Sequence, residues 1–434
     1  MTRRHQWWTG LGVGVCMLVL LGVALVRLIP SDEELARRVV AKLEAALGVK
    51  VSVGAVHWRL LPSPALVIAD AVTAQAQPVQ IKKLTLYPEL SALWQRRIKL
   101  DRAELDGAVV PQLSLSGLGR PGGGVAEARN PNGWIAAELP LQRFVFRQLT
   151  WISRRGIPVI YDGAVDFDSG WRPRSAELRR PEFAPATSLS LERLGQDDHW
   201  TVRIRLGGGT VDGEVELQTS ARGRLHLAGK LKPQQVEVSS ALQAFNRRPA
   251  IAGKVSGDST LSADGVNGME LAQSFNTRTT FVMGPGKLLH FDLDKAIHTA
   301  GREHAGQTPL DSVTGKLETQ NTADGMVTYF RGINAKSGAL SASGDARLFN
   351  RQIEAEFAVD LVKGVVGVPL KVSGATNNVS VSVPGGAVAG AVVGTAVLPG
   401  VGTVIGARVG AALGKIFGSG PDGKSSTAPA RQVP

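Results

Sequence analysis

Two segments of this chain alternate apolar and polar residues with a strict period of two. HWTVRIRL (199–206) sets four apolar residues against Arg203 and Arg205, and RQIEAEFAVDL (351–361) sets its apolar residues against acidic ones. Successive side chains of a strand point to opposite faces, so this pattern predicts strands with one buried and one wetted face. The predicted inward-facing residues are Trp200, Val202, Ile204 and Leu206 in the first segment, and Ile353, Phe357, Val359 and Leu361 in the second.

Weaker alternation recurs along most of the chain between Gly, Pro, Asn and Asp residues, which favour turns. It indicates further strands at 79–86, 98–105, 213–218, 224–231, 313–319, 368–373 and 379–383. Two short helical patterns interrupt the strands at 268–275 and 291–297, and residues 118–133 have the composition of a flexible loop. The sequence therefore predicts a mainly β protein whose strands form one long, mostly antiparallel sheet.

A helix is predicted at residues 31–48. Ser31 and Glu34 have the spacing of a capping box, acidic residues occupy the first turn, and Gly48 follows the last turn. Leu35, Val39, Leu43 and Leu47 lie on one face of such a helix. This amphipathic pattern predicts that the helix packs on the sheet.

The N-terminal region has the pattern of a membrane anchor. Residues 7–26 contain no charge, and twenty residues at about 1.5 Å per residue span roughly the 30 Å of a hydrocarbon core. Arg3 and Arg4 precede this run, so the positive-inside rule predicts a cytoplasmic tip (1–6), an uncleaved transmembrane anchor (7–29) and export of everything after it. The competing interpretation is a cleaved signal peptide, but no clear small-x-small site lies between Ala24 and Ser31.

A second apolar stretch, residues 385–418, contains glycines with a spacing of four. Residues four apart share one face of a helix, and a glycine face allows close helix packing. The turn Leu398-Pro399-Gly400 divides the stretch into two arms. The pattern predicts a glycine-zipper helical hairpin that dips into a membrane, with packing on protein as the open alternative. Its helix-packing residues would be Gly386, Gly390, Gly394, Gly402, Gly406, Gly410, Gly414 and Gly418.

Nothing in the sequence favours catalysis. The closest histidine pair, His298 and His304, lacks zinc-ligand spacing, and the glycine-rich segments 121–124 and 207–210 lack the lysine of a phosphate-binding loop. We therefore expect no enzyme, no metal site and no cofactor. The 49 Lys and Arg residues exceed the 37 Asp and Glu residues. Such a basic balance suits an anionic membrane or a nucleic acid, and the predicted export disfavours nucleic acid.

Helix 31–48 is followed, in order, by residues 48–72, 81–110, 257–297 and 338–383, which contain FDLDKAI (291–297) and PLKVSG (369–374). This order of helix, strands and turns resembles the AsmA family over about two thirds of the chain. The resemblance implies a protein of the Gram-negative envelope, anchored in the inner membrane with its bulk in the periplasm. It also implies an elongated, curved β-sheet trough whose apolar lining binds phospholipid acyl chains, and a role in lipid transport toward the outer membrane or in outer-membrane assembly.

With this resemblance, residues 30–48 form the amphipathic helix, 49–245 an N-terminal AsmA-like β region and 246–384 a C-terminal AsmA-like module. Residues 385–418 form the apolar hairpin, which would contact the outer membrane or a protein partner, and residues 419–434 form a disordered tail. Two functions remain open: a lipid-binding transport protein, or an envelope scaffold that binds other proteins through its sheet. A transport protein requires an unbroken apolar stripe across its strands, whereas a scaffold tolerates polar gaps.

Overall fold

The computed structural model describes residues 31–382, except 96, 118–134, 169–171, 267, 300, 323–324, 362–364 and 377. Within these ranges, no helix combines the length and the hydropathy needed to cross a membrane. The predicted tip (1–6), anchor (7–29), hairpin (385–418) and tail (419–434) lie outside the described residues, as does the predicted loop 118–133.

The chain forms one large, open, mixed sheet of 21 strands with a few short helices. The strands in the N-terminal half are β1 (Val51–Arg59), β2 (Ala65–Thr73), β3 (Gln80–Pro88), β4 (Arg97–Pro111), β5 (Ile135–Ile152), β6 (Pro158–Asp168), β7 (Arg172–Arg179), β8 (Ser188–Arg193), β9 (His199–Leu206) and β10 (Gly209–Thr219). Those that follow are β11 (Leu225–Gln234), β12 (Val236–Glu237), β13 (Ile251–Gly265), β14 (Asn276–Leu288), β15 (Thr308–Leu310), β16 (Ser312–Thr322), β17 (Gly325–Ser337), β18 (Leu340–Phe349), β19 (Gln352–Leu361), β20 (Val365–Ala375) and β21 (Asn378–Ser382).

The described helices are short, with one exception. They are α1 (Asp32–Leu47), α2 (Leu90–Trp94), α3 (Val238–Ala244), α4 (Gly268–Gln273) and α5 (Leu293–His298), with a 3-10 helix at Gln112–Gly117. The predicted helices at 31–48, 268–275 and 291–297 and the two clearest predicted strands are confirmed, with ends that differ by at most two residues.

Helix α1 begins and ends where the sequence predicts. The Ser31 hydroxyl accepts a hydrogen bond from the Glu34 amide at 3.4 Å, and Gly48 closes the helix with a left-handed φ of 71°. The Glu34 carboxylate pairs with Arg38. On the apolar side, Leu35 is buried in a cluster with Val56 and Ile68, so α1 covers β1 and β2.

The prediction of a mostly antiparallel sheet needs one correction, because β5 runs parallel to β4 from Arg97–Ile135 to Pro111–Ile152. The connection from Pro111 to Ile135 must therefore return to the end of the sheet at which β4 begins. Parallel neighbours require such a long connection, and a weak alternation pattern carries no information about it.

The fold divides into two compact units. The first unit contains β1–β10 together with residues 240–248, and the second contains 219–239 and the residues from 249 onward. Residues 240–248 belong with the first unit because the Asn246 side-chain amide donates to the Pro158 carbonyl at 2.6 Å and Arg180 contacts the Gln243 and Ala244 carbonyls. The predicted boundary at 245–246 thus lies close to this excursion of the chain.

Neighbouring strands of the first unit pair in chain order from β1 to β10. A line of irregular residues crosses these strands, because Asp70, Gly107 and Gln148 have positive φ angles of 52°, 65° and 52°. Of the three, only Gln148 coincides with a shift of register, which lies between Phe146 and Leu149 in the β5–β6 pair. An extra residue of this kind increases the local twist of a strand.

Candidate functional site

The strand register aligns the apolar residues of the first unit into two rows, each with one residue from every strand β1–β10. The upper row is Trp58, Leu66, Leu86, Ala103, Phe144, Val165, Ala176, Leu191, Val202 and Gly213. The lower row is Val56, Ile68, Leu84, Leu105, Phe146, Gly163, Leu178, Leu189, Ile204 and Val211. Neither row contains a polar side chain, so together they form an unbroken apolar stripe, which we call the apolar face.

The opposite face of these strands is polar. Cross-strand ion pairs join Arg143 to Asp166 at 3.3 Å, Arg147 to Asp106 at 3.4 Å, and Arg203 to Asp212 at 2.8 Å. The Arg203 side chain also holds the pKa of the Asp212 carboxyl below its ordinary value, chiefly through the hydrogen bond between them. These exposed pairs stabilise the sheet only modestly, but they fix which face meets water.

Helix α1 covers one end of the apolar face and leaves the rest without such a cover. None of the three buried hydrophobic clusters formed by the described residues includes a side chain from β5–β10. On these strands Phe144, Leu178, Leu189 and Ile204 are half-buried, and no residue of either row is exposed. Nine strand spacings of about 4.8 Å make the stripe roughly 43 Å wide, measured along the sheet.

Tyr161 reports on the environment beside these rows. It pairs with Leu149 on the apolar side of β5 and β6. Burial raises the pKa of its phenol, and the positive charge of Arg180 opposes this shift only in part. Tyr161 is thus a half-buried polar residue beside the two rows.

The predicted lining residues of β9 lie on this face, but Trp200 has a different role. Val202 and Ile204 occupy the two rows, Leu206 pairs with Gly209, and Arg203 and Arg205 are exposed on the other side, as predicted.

Trp200 instead lies at one end of the face. Only 4% of Trp200 is exposed, and its indole N–H donates to the Pro173 carbonyl at 2.6 Å. Beside it, the Arg193 guanidinium is 5.9 Å from the ring centroid and pairs with Asp168 and Asp198. A polar cluster in which Arg193 and Trp200 are buried therefore lies at this end of the apolar face.

The predicted lining residues of β19 lie on the apolar side of the second unit, where they are partly covered. Val359 is fully buried with Leu293 of α5, and Phe357 packs against the same cluster. Ile353 is half-buried and pairs with Leu348. The Leu361 side chain is outside the described residues. Val359 therefore contributes to a packed core rather than to an open groove.

The apolar side of the second unit is also interrupted by hydroxyl groups. Ser259 and Thr279 pair across β13 and β14 with their oxygens 2.8 Å apart, and Thr277 and Thr319 pair across β14 and β16 at 2.6 Å. Thr328 extends the second pair onto β17. The unbroken stripe required of a lipid-binding groove is therefore present in the first unit and interrupted in the second.

Sequence reasoning missed most of the apolar face. Leu189 and Leu191 alternate with serines in β8, and Phe144 and Phe146 flank Val145 in β5, so a weak signal was present at both places. Gly163 and Gly213 gave no signal in the sequence. A glycine has no side chain, so only the residues that pair with it show that it belongs to an apolar row.

A cavity of about 690 Å³ opens along the line of irregular residues in the first unit. Its lining includes the charged residues Asp70, Lys82, Asp162 and Glu182. The Asp162 carboxylate accepts a hydrogen bond from the backbone N–H of Gln148 at 2.8 Å. A lining with several charges is unsuited to an acyl chain. The apolar face is therefore the better candidate site for a lipid.

No protein-family model matches the chain, and no curated protein and no solved structure matches it significantly.

The glycines predicted to pack the hairpin, from Gly386 to Gly418, lie outside the described residues.

Proposed function

We propose that this chain is an AsmA-type protein, anchored in the inner membrane by residues 7–29, with its bulk in the periplasm. It binds phospholipid acyl chains on the apolar face and takes part in lipid transport toward the outer membrane or in outer-membrane assembly. It needs no cofactor and catalyses no reaction.

The observation that carries this proposal is the pair of apolar rows across β1–β10 without a polar side chain. Contiguous apolar surface that is not fully buried usually marks a binding site, so the half-buried rows favour a hydrophobic occupant. Acyl chains fit because the rows offer no hydrogen-bonding partner. The interrupted face of the second unit supports the same role less well.

Photo-crosslinking tests this proposal. A benzoylphenylalanine at Ile204, which is half-buried on the apolar face, is expected to capture phospholipid in membranes. The matched control is the same probe at Arg203, the neighbouring residue on the polar face, where capture should be several-fold lower.

A second variant tests whether lipid capture depends on the apolar character of the face. Leu189→Asp places a charge beside Ile204, and uncompensated burial of a charge costs several kcal/mol, so lipid capture at position 204 should fall sharply. Equal lipid capture at 203 and 204 would contradict the proposal. Capture of a protein in place of lipid at position 204 would favour the envelope scaffold.

A further inference from the structure

The turn between β1 and β2 is unusually apolar for an exposed turn. Leu61 is 82% exposed and Leu60 is 50% exposed, and Leu90 at the start of α2 is 51% exposed. Trp58 pairs with Leu66, and Leu66 pairs with Leu86, so β1, β2 and β3 are neighbours. The β1–β2 turn and the β3–β4 connection therefore lie at the same end of adjacent strands. We call Leu60, Leu61 and Leu90 the apolar tip.

The opposite end of the same strands provides an internal comparison. The turn between β2 and β3 exposes Ala74, Ala76 and Gln77, and none of these is a large apolar residue. Turns are ordinarily built from small and polar residues, so the β2–β3 turn is the usual case. Single exposed leucines need no explanation, but three grouped at one end of a sheet indicate a binding surface.

Helix α1 places the chain leading to the proposed anchor at this same end. The Glu44 carboxylate near the end of α1 accepts from the Val51 amide at the start of β1, and Leu35 shares a buried cluster with Val56, so α1 runs back along β1 toward the tip. Ser31 lies one helical turn, or about 6 Å, before Leu35. Leu60 lies four strand residues, or roughly 13 Å, beyond Val56 in the same direction. The five residues from Val26 to Ser31 can span at most about 18 Å. A bilayer crossed by residues 7–26 would therefore lie within reach of the tip.

The charges around the tip are of both signs. Arg97 is exposed at the start of β4, and the Arg59 guanidinium donates to the Tyr87 hydroxyl at 3.1 Å behind the turn. The acidic Glu89 beside Leu90 is paired with Lys99 at 2.5 Å, which keeps its pKa below the ordinary value. The acidic first turn of α1 lies at this end too, so apolar insertion, rather than net charge, must hold the tip in place.

We infer that the apolar tip inserts into the surface of the same phospholipid bilayer that the anchor crosses. This inference rests on the proposed anchoring, and it names a second membrane contact. Insertion would hold the strands upright on the membrane, with Trp58, Leu66 and Leu86 of the upper row next to the headgroups.

The test uses the full chain in vesicles of phosphatidylethanolamine and phosphatidylglycerol. A polarity-sensitive fluorophore is attached to Leu61→Cys in a Cys16→Ser background, and the matched control has it at Ala76→Cys. Lipids with a shallow spin label in the acyl chain serve as quenchers. We expect a blue-shifted, several-fold more strongly quenched emission at 61 than at 76. Leu90→Cys provides a second tip position, so that the result does not depend on one turn.

The outcomes separate this inference from the proposed function. Equal, water-like emission at 61, 76 and 90 overturns the inference, as does a failure of the chain to associate with vesicles. If the tip probes are not quenched while a crosslinker at Ile204 still captures lipid, only the inference fails. If they are quenched while Ile204 captures nothing, the tip contact stands and the lipid-binding function fails.

Discussion

Three phenylalanines that pair with glycines shape the apolar surface of the described strands at the scale of single residues. Phe146 is the direct cross-strand partner of Gly163, Phe281 of both Gly257 and Gly315, and Phe357 of Gly344. A Cβ on Gly163 would lie 2.5 Å from the Phe146 ring, and one on Gly344 would lie 2.7 Å from the Phe357 ring. Each ring therefore lies over a glycine of the next strand. The ring covers the glycine backbone and therefore projects little from the sheet.

Gly163→Ala is predicted to destabilise the first unit. The new methyl group would meet both the Phe146 ring and the Glu177 carbonyl oxygen, and the backbone oxygen cannot turn away. Overpacking of this kind costs about 1–3 kcal/mol. The measurement is thermal unfolding of the full chain in detergent, followed by far-ultraviolet circular dichroism.

Gly284→Ala is the matched control, because no heavy atom lies within 4 Å of its added Cβ. Its effect should stay within about 0.5 kcal/mol, as is usual for surface substitutions. If Gly163→Ala unfolds with the same midpoint as Gly284→Ala, the ring does not lie over the glycine as described.

At the scale of elements, α5 covers part of the apolar side of the second unit, whereas the described residues provide no such helix over β5–β10 of the first unit. Leu293 is buried with Val359 and Leu370, and Ile297 packs against the same cluster. The Leu293 amide donates to the Thr308 hydroxyl at 2.8 Å, and that hydroxyl donates to the Phe291 carbonyl at 2.9 Å. Apolar packing therefore holds α5 on the sheet, and the Thr308 hydroxyl ties the start of the helix to β15.

Leu293→Ala is predicted to loosen α5 and expose the sheet beneath it. Removal of a buried leucine side chain typically costs 2–5 kcal/mol. A Val359→Cys reporter in a Cys16→Ser background should resist maleimide when α5 is intact, because Val359 has no exposed surface. The reaction should accelerate several-fold in Leu293→Ala.

Asp294→Ala on the same helix is the control for this experiment, since the Asp294 side chain is 71% exposed. It should leave the maleimide reaction rate unchanged. Rapid reaction of Val359→Cys with an intact α5 would show that the helix does not cover the sheet.

At the scale of the whole molecule, each of the two units has an apolar side, and these sides are completed differently. The first unit offers an unbroken stripe with a polar cluster at one end, formed by Arg193 and Trp200. The second unit has a hydroxyl ladder and a helical cover. This difference places the proposed lipid contact in the first unit.

The proposed topology predicts that both units lie on the periplasmic side of the inner membrane. Ala76→Cys in the first unit and Ala221→Cys in the second, each exposed in a turn and each in a Cys16→Ser background, should react with a membrane-impermeant maleimide in spheroplasts. Thr2→Cys should react only after the membrane is broken. Labelling of Thr2→Cys in intact spheroplasts, or protection of either turn, would contradict the topology.

The sequence by itself determined the class of structure and the local elements. Period-two alternation in β9 separated Val202 and Ile204 from Arg203 and Arg205, because side-chain direction in a strand depends only on the local backbone. The ends of α1 were equally local, since the Ser31 cap and the left-handed Gly48 act within one turn of the helix.

Only the tertiary structure decided which residues share a surface. A strand pattern states that Ile204 and Phe146 point inward, but not that Leu189, Leu178 and Gly163 lie between them in one row. Register depends on pairings between residues distant in sequence, such as the parallel β4–β5 pair, and on bulges that shift it. The same long-range packing set Val359 beneath Leu293 while leaving Ile204 half-buried, although both belong to equally clear alternating strands.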